Sequence, residues 1–163
     1  MNAEHLVEKI ASILTEKNLT IATAESCTGG LLAHTLTNIS GSSVYFNNGF
    51  ITYSNTAKQD FLEVSKEILK KYGAVSEQTA KIMAINVQKF SHVDIGLSTT
   101  GIAGPTGGTS EKPVGLVYIS LATPTIVNVK KFIFKGTRLE NKQQACDAAL
   151  EMLLEYLESL DKR

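Results

Sequence analysis

The chain has 163 residues, of which 43% are apolar and 20% charged, with a mean hydropathy of +0.01. This composition is typical of a soluble globular domain and excludes a disordered chain. Sixteen basic residues balance sixteen acidic ones, which excludes an overall field attracting nucleic acid or acidic membranes. We therefore expect a single domain over residues 1–163 whose anion-binding site, if present, is local.

The first predicted element is a helix that Asn2 caps and that ends near Asn18. Its apolar residues recur at helical spacing: Leu6, Val7, Ile10, Ile13 and Leu14. A short β-rich strand follows at 20–24, and helical spacing resumes at 31–36. The segment 25–30, Glu-Ser-Cys-Thr-Gly-Gly, therefore joins a strand to a helix through a tight turn.

A second strand is predicted at 50–53, because residues 41–43 and 47–49 have the composition of turns. Three serines then stand where helix caps are expected: Ser54, Ser65 and Ser76. Apolar residues at helical spacing follow the last of them: Ala80, Met83, Val87 and Phe90. Three helices are thus predicted between the second strand and the third.

The third predicted strand, 93–100, runs into residues 101–109, which we call the glycine loop. Glycines and a proline exclude regular structure there. Residues 115–122 and 126–134 alternate in the manner of an antiparallel hairpin.

The last predicted helix starts with the capping-box spacing of Thr137 and Glu140. An apolar stripe continues it: Ala145, Ala149, Met152, Leu153, Tyr156 and Leu160. The order of elements predicts a three-layer α/β/α fold with a sheet between helices, and the hairpin makes this central sheet mixed.

The two cysteines, Cys27 and Cys146, are far apart and form no CxxC motif, so they indicate neither a disulfide framework nor a zinc site. Acidic Glu4 and Glu8 stand where a signal peptide would carry basic and apolar residues. No segment has the length and apolarity of a membrane span. We expect a cytoplasmic protein with reduced thiols.

Ser26 follows the first strand where the chain turns into a helix. Free N–H groups at a helix start can stabilise an oxyanion or phosphate, so a hydroxyl there is well placed for nucleophilic attack. Alternatively, Ser26 or Thr28 only caps the helix, and Gly29 and Gly30 allow close packing. Cys27 is a competing nucleophile, although the absence of a paired histidine favours a buried structural role. The residue pattern leaves the first two interpretations open.

A serine without a histidine partner needs another base, and the three histidines lie on separate predicted elements. A lysine can serve where burial or a positive neighbour keeps the amine neutral. Lys58 is the candidate, and Tyr53 precedes it at a strand end facing the same sheet edge as Ser26. The alternative is a surface lysine and a core tyrosine.

The glycine loop offers unhindered backbone N–H groups and threonine hydroxyls, a composition suited to phosphate or carboxylate, although plain turns share it. It matches neither GxxxxGK[ST] nor GxGxxG. Arg138 and Lys142, four residues apart on the last helix, can add charge-assisted bonds to the same anion. Solvated surface charges are the alternative.

Together these segments resemble the C-terminal domain of the CinA family, which also exists as a stand-alone nicotinamide-nucleotide amidase. The resemblance covers roughly residues 6–157. It rests on the following segments and residues: 24–30, 41–43, 53–55, Lys58, 73–76, 100–105, 107–108, 113–115, Phe134, Gly136 and Arg138. Two departures from the family pattern are Thr137 and Lys142, which replace an aspartate and an arginine.

The resemblance implies hydrolysis of the carboxamide of nicotinamide mononucleotide to nicotinate mononucleotide and ammonia, with no cofactor or metal. It implies that Ser26 is the nucleophile and that Lys58 and Tyr53 activate it and shuttle protons. The residues that we assign to substrate binding are Glu25, Cys27, Thr28, Gly29, Gly30, Thr100, Gly101, Ala103, Gly104, Gly107, Gly108 and Arg138. Among these, Glu25 and Thr28 have orienting roles.

The expected partners are the small nucleotide substrate and a second copy of the chain in a homodimer, without nucleic acid or membrane. The alternative function is a non-catalytic nucleotide-binding or adaptor module of the competence- or damage-inducible type. A third reading is a hydrolase of a different nucleotide amide or ester. Ser26, Tyr53 and Lys58 together favour the enzyme, because a binding module needs only the glycine loop.

Overall fold

A computed structural model describes residues 3–162 of the chain, so the predicted cap at Asn2 lies outside the described residues. The helices and strands are, in chain order, α1 (Ala3–Glu16), β1 (Ile21–Glu25), α2 (Leu31–Thr37), β2 (Phe46–Ile51), α3 (Asn55–Leu62), α4 (Lys66–Tyr72), α5 (Glu77–Phe90), β3 (Ile95–Gly101), β4 (Leu116–Ala122), β5 (Val127–Ile133) and α6 (Arg138–Ser159). Two short 3₁₀ helices cover Ser42–Val44 and Leu160–Lys162.

The five strands form one sheet in the order β2-β1-β3-β4-β5. Strand β1 runs parallel to β2 and β3, whereas β4 is antiparallel to both β3 and β5. The predicted mixed sheet is therefore confirmed. Glu25 at the end of β1 pairs with Ile51 on one side and Thr99 on the other. The carboxyl ends of three parallel strands thus meet at one edge of the sheet.

Helices cover both faces of this sheet. Consecutive side chains of β1 point to opposite faces, and Ile21 belongs to a different buried cluster from Ala22. The first cluster joins β1, β3 and β4 to α1, α2 and α6, with Leu36 and Leu97 fully buried in it. The second is formed largely beneath α3, α4 and α5 and contains Met83. The predicted three layers are confirmed.

Side chains cap four of the helices as predicted. The hydroxyls of Ser54, Ser65 and Ser76 each accept a hydrogen bond from the backbone N–H three residues later. Thr137 and Glu140 form the complete capping box at the start of α6. Each such cap stabilises a helix by about 1 kcal/mol.

The second strand begins four residues earlier than predicted. Strand β2 starts at Phe46, so the prediction of a turn at 47–49 is wrong. The side-chain amides of Asn47 and Asn48 both donate to Ser91, at 3.2 Å from its carbonyl and hydroxyl oxygens. Because β2 is an edge strand, polar residues that disfavour central strands find partners outside the sheet.

Among residues 3–162, no helix has both the length and the apolar character needed to cross a bilayer.

Candidate active site

Ser26 is the first residue after β1. Its N–H donates to Thr99 O (3.0 Å), which continues the pairing of β1 with β3, and its carbonyl accepts from Gly29 N (3.1 Å). Gly29 and Gly30 have φ values of 62° and 101°, a region that favours glycine, so they permit the sharp turn into α2. The side chain of Ser26 lies at the sheet edge where the parallel strands end.

Glu25 holds this turn in place from inside. Its carboxylate is fully buried and accepts hydrogen bonds from the N–H groups of Leu32 (2.8 Å) and Ala33 (3.0 Å) and from the Thr28 hydroxyl (2.7 Å). It thus caps α2, whose first N–H, that of Leu31, is bonded to a backbone carbonyl. We expected N–H groups at this helix start to be free for an anion, and these three are not.

Lys58 is only 1% exposed, which excludes a surface lysine. Its Nζ lies 2.8 Å from Ser26 Oγ, 2.7 Å from Thr52 O and 3.2 Å from Tyr53 O. The two carbonyls can only accept hydrogen bonds, so they take two N–H groups of the amine. The remaining position on Nζ, an N–H or a lone pair, faces the Ser26 hydroxyl.

Burial lowers the pKa of Lys58 to about 8, because the protonated amine loses its hydration. A neutral lysine directed at a serine hydroxyl can accept its proton. The sequence places the amine there through the cap at Ser54, whose carbonyl accepts from Lys58 N (3.1 Å) in the first turn of α3.

Tyr53 lies two residues beyond the end of β2, in a loop and not in a strand as predicted. Its side chain is 57% exposed, so it is not a core tyrosine. The hydroxyl accepts a hydrogen bond from Arg138 Nη2 (2.9 Å). Within the described chain this hydroxyl is not hydrogen-bonded to Ser26 or Lys58, so only the backbone of Tyr53 contacts the proposed base.

Like Glu25, three further side chains assigned to substrate binding face the protein interior. Burial raises the pKa of the Cys27 thiol to about 12, which disfavours a thiolate nucleophile. Thr28 Oγ1 is bonded to Thr99 Oγ1 (2.7 Å), and Thr100 Oγ1 donates to Ala74 O (2.8 Å). These contacts favour packing roles for Cys27 and Thr100, and they agree with the orienting role that we expect for Thr28.

The glycine loop folds back onto the segment before β4. A Cβ on Gly104 would lie 2.4 Å from Val114 Cγ1, and one on Gly108 would lie 2.7 Å from Val114 N. The φ angles of Gly104 and Gly107 are 83° and 90°. A Cβ on Gly101 would lie 2.6 Å from Leu116 O. Close packing and backbone conformation therefore account for these glycines, whether or not the loop binds an anion.

The first two turns of α6 connect the loop to the Ser26 turn. Arg138 Nη1 donates to Gly104 O (2.8 Å) while its Nη2 reaches Tyr53. The Nζ of partly buried Lys142 lies 3.5 Å from the position of a Cβ on Gly29. Within residues 3–162 neither cation forms an ion pair with an acidic residue. One positive charge therefore lies beside the glycine loop and one beside the Ser26 turn, and both are available to an anion.

Two residues that the sequence did not single out belong to this site. Thr52 supplies a carbonyl to Lys58. Asn141 is 1% exposed and donates from Nδ2 to Ala103 O (2.9 Å) and Gly136 O (3.1 Å). Asn141 could have been noticed in the sequence, because it is a polar residue on the buried side of α6. The role of Thr52 could not, because every residue has a backbone carbonyl.

The largest described surface groove lies away from this site. It has a volume of about 370 Å³ and lies between β5 and α6, where Lys130 is paired with Glu155. Neither Ser26 nor Lys58 lines it. Among the described residues, no group of three or more histidine, cysteine, aspartate or glutamate side chains is placed to hold a metal ion.

Residues 3–157 match the model of the CinA C-terminal domain. The chain belongs to this family. A relative from Thermoanaerobacter sp. (strain X514), named as a competence-damage inducible protein, is 50% identical over 157 residues, which are 96% of this chain and 38% of the relative. The CinA-like protein of Syntrophus aciditrophicus (strain SB) is 51% identical over 155 residues, 94% of this chain and 37% of that protein.

Solved structures of this family share the fold. The competence/damage inducible protein CihA from Agrobacterium tumefaciens is 42% identical and superposes with a TM-score of 0.93, covering 96% of this chain and 95% of its own. The competence damage-inducible protein A of Klebsiella pneumoniae subsp. pneumoniae MGH 78578 is 31% identical, with a TM-score of 0.94 and coverage of 97% and 98%. The chain thus spans less than two fifths of the two curated relatives named above, 38% and 37%, but nearly the whole length of these two solved chains.

Proposed function

We propose that this protein is an amidohydrolase that converts nicotinamide mononucleotide to nicotinate mononucleotide and ammonia through a Ser26 acyl-enzyme. The observation that carries the proposal is the 2.8 Å contact between the buried amine of Lys58 and Ser26 Oγ. Burying an amine that is charged in water costs free energy, and a module that only binds nucleotides needs neither this lysine nor its serine partner. Membership of the CinA family supports the choice of substrate.

In the first step Lys58 acts as general base. Roughly a tenth of the lysine is neutral at pH 7 if its pKa is about 8. Its lone pair takes the proton from Ser26 Oγ, and the oxygen attacks the carboxamide carbon. The carbonyls of Thr52 and Tyr53 hold the other N–H groups, so the amine needs no reorientation.

The tetrahedral intermediate then loses ammonia. The C–N bond breaks as protonated Lys58 returns its proton to the leaving nitrogen, and an ester of Ser26 remains. Water attacks this ester while Lys58 takes a proton from it, and the proton passes to Ser26 Oγ as nicotinate mononucleotide leaves. Lys58 is the immediate base because it contacts Ser26; Tyr53 is proposed as a second proton carrier, once its hydroxyl leaves Arg138.

Arg138 and Lys142 are proposed to hold the nucleotide phosphate together with N–H groups of the glycine loop. Both cations lack an acidic partner within residues 3–162, and a phosphate supplies the missing negative charge. Binding energy at the phosphate, remote from the reacting carbon, then orients the amide toward Ser26.

The second candidate is a non-catalytic nucleotide-binding or adaptor module. The observation in its favour is that the relatives and solved structures described above are named for competence or damage induction. Such a module would bind the mononucleotide without releasing ammonia, so turnover separates the two functions.

The deciding experiment incubates the purified protein with nicotinamide mononucleotide and measures ammonia and nicotinate mononucleotide. We expect Ser26→Ala and Lys58→Ala each to lower kcat by at least about a thousandfold. The matched controls are Ser12→Ala and Lys9→Ala, on the exposed face of α1. An inactive wild type, or an unchanged Ser26→Ala, would overturn the proposal.

Two further variants refine the assignment of roles. Cys27→Ala should retain activity, and loss of turnover in a folded Cys27→Ala protein would move the nucleophile by one residue. In Tyr53→Phe, a fall in kcat of more than about tenfold supports the hydroxyl as a proton carrier. An unchanged kcat would instead confine Tyr53 to its contact with Arg138.

A further inference from the structure

Asn141 is a buried amide in the second turn of α6 whose hydrogen bonds go to the two loops beside the site. Its Nδ2 donates to Ala103 O in the glycine loop (2.9 Å) and to Gly136 O before α6 (3.1 Å). Its Oδ1 is buried without a partner among the described residues. An unpaired buried acceptor costs free energy that an apolar side chain would avoid. The two donated bonds are therefore what distinguishes asparagine from leucine at this position.

These bonds fix a peptide plane. The peptide between Ala103 and Gly104 is trans and planar, so holding its carbonyl oxygen also fixes the Gly104 N–H, which points the opposite way. Arg138 holds the next carbonyl, that of Gly104, but the peptide on that side leads into Pro105, which has no N–H. Of the two peptide planes in the glycine loop that α6 holds, only the one held by Asn141 carries a hydrogen-bond donor.

The Gly104 N–H is also an available donor. Gly104 is buried, and among residues 3–162 no acceptor lies within hydrogen-bond geometry of its N–H. The loop that carries Gly104 starts beside the nucleophile: Ser26 N–H donates to Thr99 O (3.0 Å) in β3, and Gly104 lies three residues after β3 ends. The N–H groups of Leu31, Leu32 and Ala33 at the start of α2 are already bonded to Glu25 and Thr28.

We propose that Asn141 is a positioning residue that presets the Gly104 N–H as a donor to the oxyanion formed when Ser26 attacks the substrate. The inference rests on the proposed amidase function. A donor fixed before the reaction stabilises developing charge without reorganisation, which lowers the barrier of the chemical step and leaves binding of the neutral amide unaffected. The kinetic signature is a lower kcat at an unchanged KM.

The experiment compares Asn141→Leu with the matched control Gln88→Leu. Gln88 is a buried amide in α5 that donates to Val93 O (2.6 Å) away from the site, so both variants lose a buried amide–carbonyl bond. With nicotinamide mononucleotide, below the unfolding temperature of every variant, Asn141→Leu should lower kcat roughly tenfold to a hundredfold. Its KM should stay within about twofold of wild type, and Gln88→Leu should change neither constant.

Hydrogen exchange provides a readout that does not depend on turnover. Exchange across residues 102–108 should accelerate in Asn141→Leu and stay unchanged in Gln88→Leu. Asn141→Ser, which keeps one shorter donor, is a milder variant in case the leucine variant does not fold, and it should give an intermediate kcat.

Three results would overturn the inference: an unchanged kcat, a KM that rises while kcat is constant, or unchanged exchange in the loop. A wild type that releases no ammonia would instead overturn the proposed function. In that case loop exchange still decides whether Asn141 fixes the glycine loop.

Discussion

The Ser26 turn and the glycine loop both follow parallel strands at the same sheet edge, but they are held in different ways. The Ser26 turn is fixed by its own neighbours: Glu25 and Thr28 bond to each other and to the start of α2. The glycine loop is held from outside by Arg138 and Asn141, which lie more than thirty residues later in the sequence.

This difference separates the two tasks of the proposed enzyme. The group that reacts sits in a turn whose geometry depends on nearby residues and on one buried lysine. The groups proposed to bind and stabilise the substrate depend on α6, which also carries Arg138 and Lys142, neither of them in an ion pair within residues 3–162. Changes at Lys58 or Glu25 should therefore affect chemistry and folding, while changes at the start of α6 should affect binding through its cations.

The largest effect expected without a substitution in the site is the pH dependence of turnover, which tests the Ser26 side. Only neutral Lys58 can accept a proton, and burial lowers its pKa to about 8. The fraction of neutral amine therefore rises with pH until the pKa is passed. We expect kcat/KM to increase about thirtyfold between pH 6.5 and 9.5 and to level off above the pKa.

The range starts at pH 6.5 because the substrate phosphate itself titrates near pH 6. Cys27→Ala should give the same profile, since the pKa of this thiol, about 12, lies far above the range. A flat profile, or one that rises only above pH 9, would remove Lys58 from the role of base.

The next effect tests the α6 side through substrate affinity. Arg138→Gln and Lys142→Gln should each raise KM for nicotinamide mononucleotide about tenfold, because each removes a charge-assisted bond to phosphate. Lys66→Gln, an exposed lysine of α4, controls for the change in net charge. Nicotinamide riboside lacks the phosphate, so its KM should not change; an equal shift for both substrates would exclude these cations as phosphate ligands.

Local patterns predicted what depends on local interactions. The caps at Ser54, Ser65 and Ser76 and the capping box of α6 require only residues within one helical turn, and all four are present. The strand β2 was placed too late, because Asn47 and Asn48 find partners on Ser91, more than forty residues away. The sequence of an edge strand can therefore have the composition of a turn when distant partners stabilise the strand.

In the candidate site, too, the features that depend on distant residues could not be predicted from local sequence. Ser26 and Lys58 were paired from chemical need and a family resemblance, since no spacing rule predicts a contact across 32 residues. The buried contact of Thr100 with Ala74 could not be predicted, because a hydroxyl beside glycines has the same sequence signature whether it faces a ligand or a carbonyl. Asn141 was missed because its partners lie on a loop whose path depends on α6.

The smallest expected effect on turnover, and a test of the internal support of Ser26, is Glu25→Gln. The side-chain amide of glutamine keeps one acceptor oxygen but directs an NH₂ group at a backbone N–H of α2. Because the site is fully buried, we expect the free energy of unfolding to fall by about 1–3 kcal/mol in urea titrations. Glu140→Gln is the matched control, a carboxylate that also caps a helix but is exposed, and it should destabilise less.

The kinetic part of this prediction separates support from chemistry. The Glu25 carboxylate is fully buried and directed at the N–H groups of α2, so the folded fraction of Glu25→Gln should keep its KM and lose only a few-fold in kcat through small displacements of Ser26. If kcat instead fell as far as in Lys58→Ala, Glu25 would take part in proton transfer. If stability did not change, its hydrogen bonds to α2 would not be what holds the Ser26 turn.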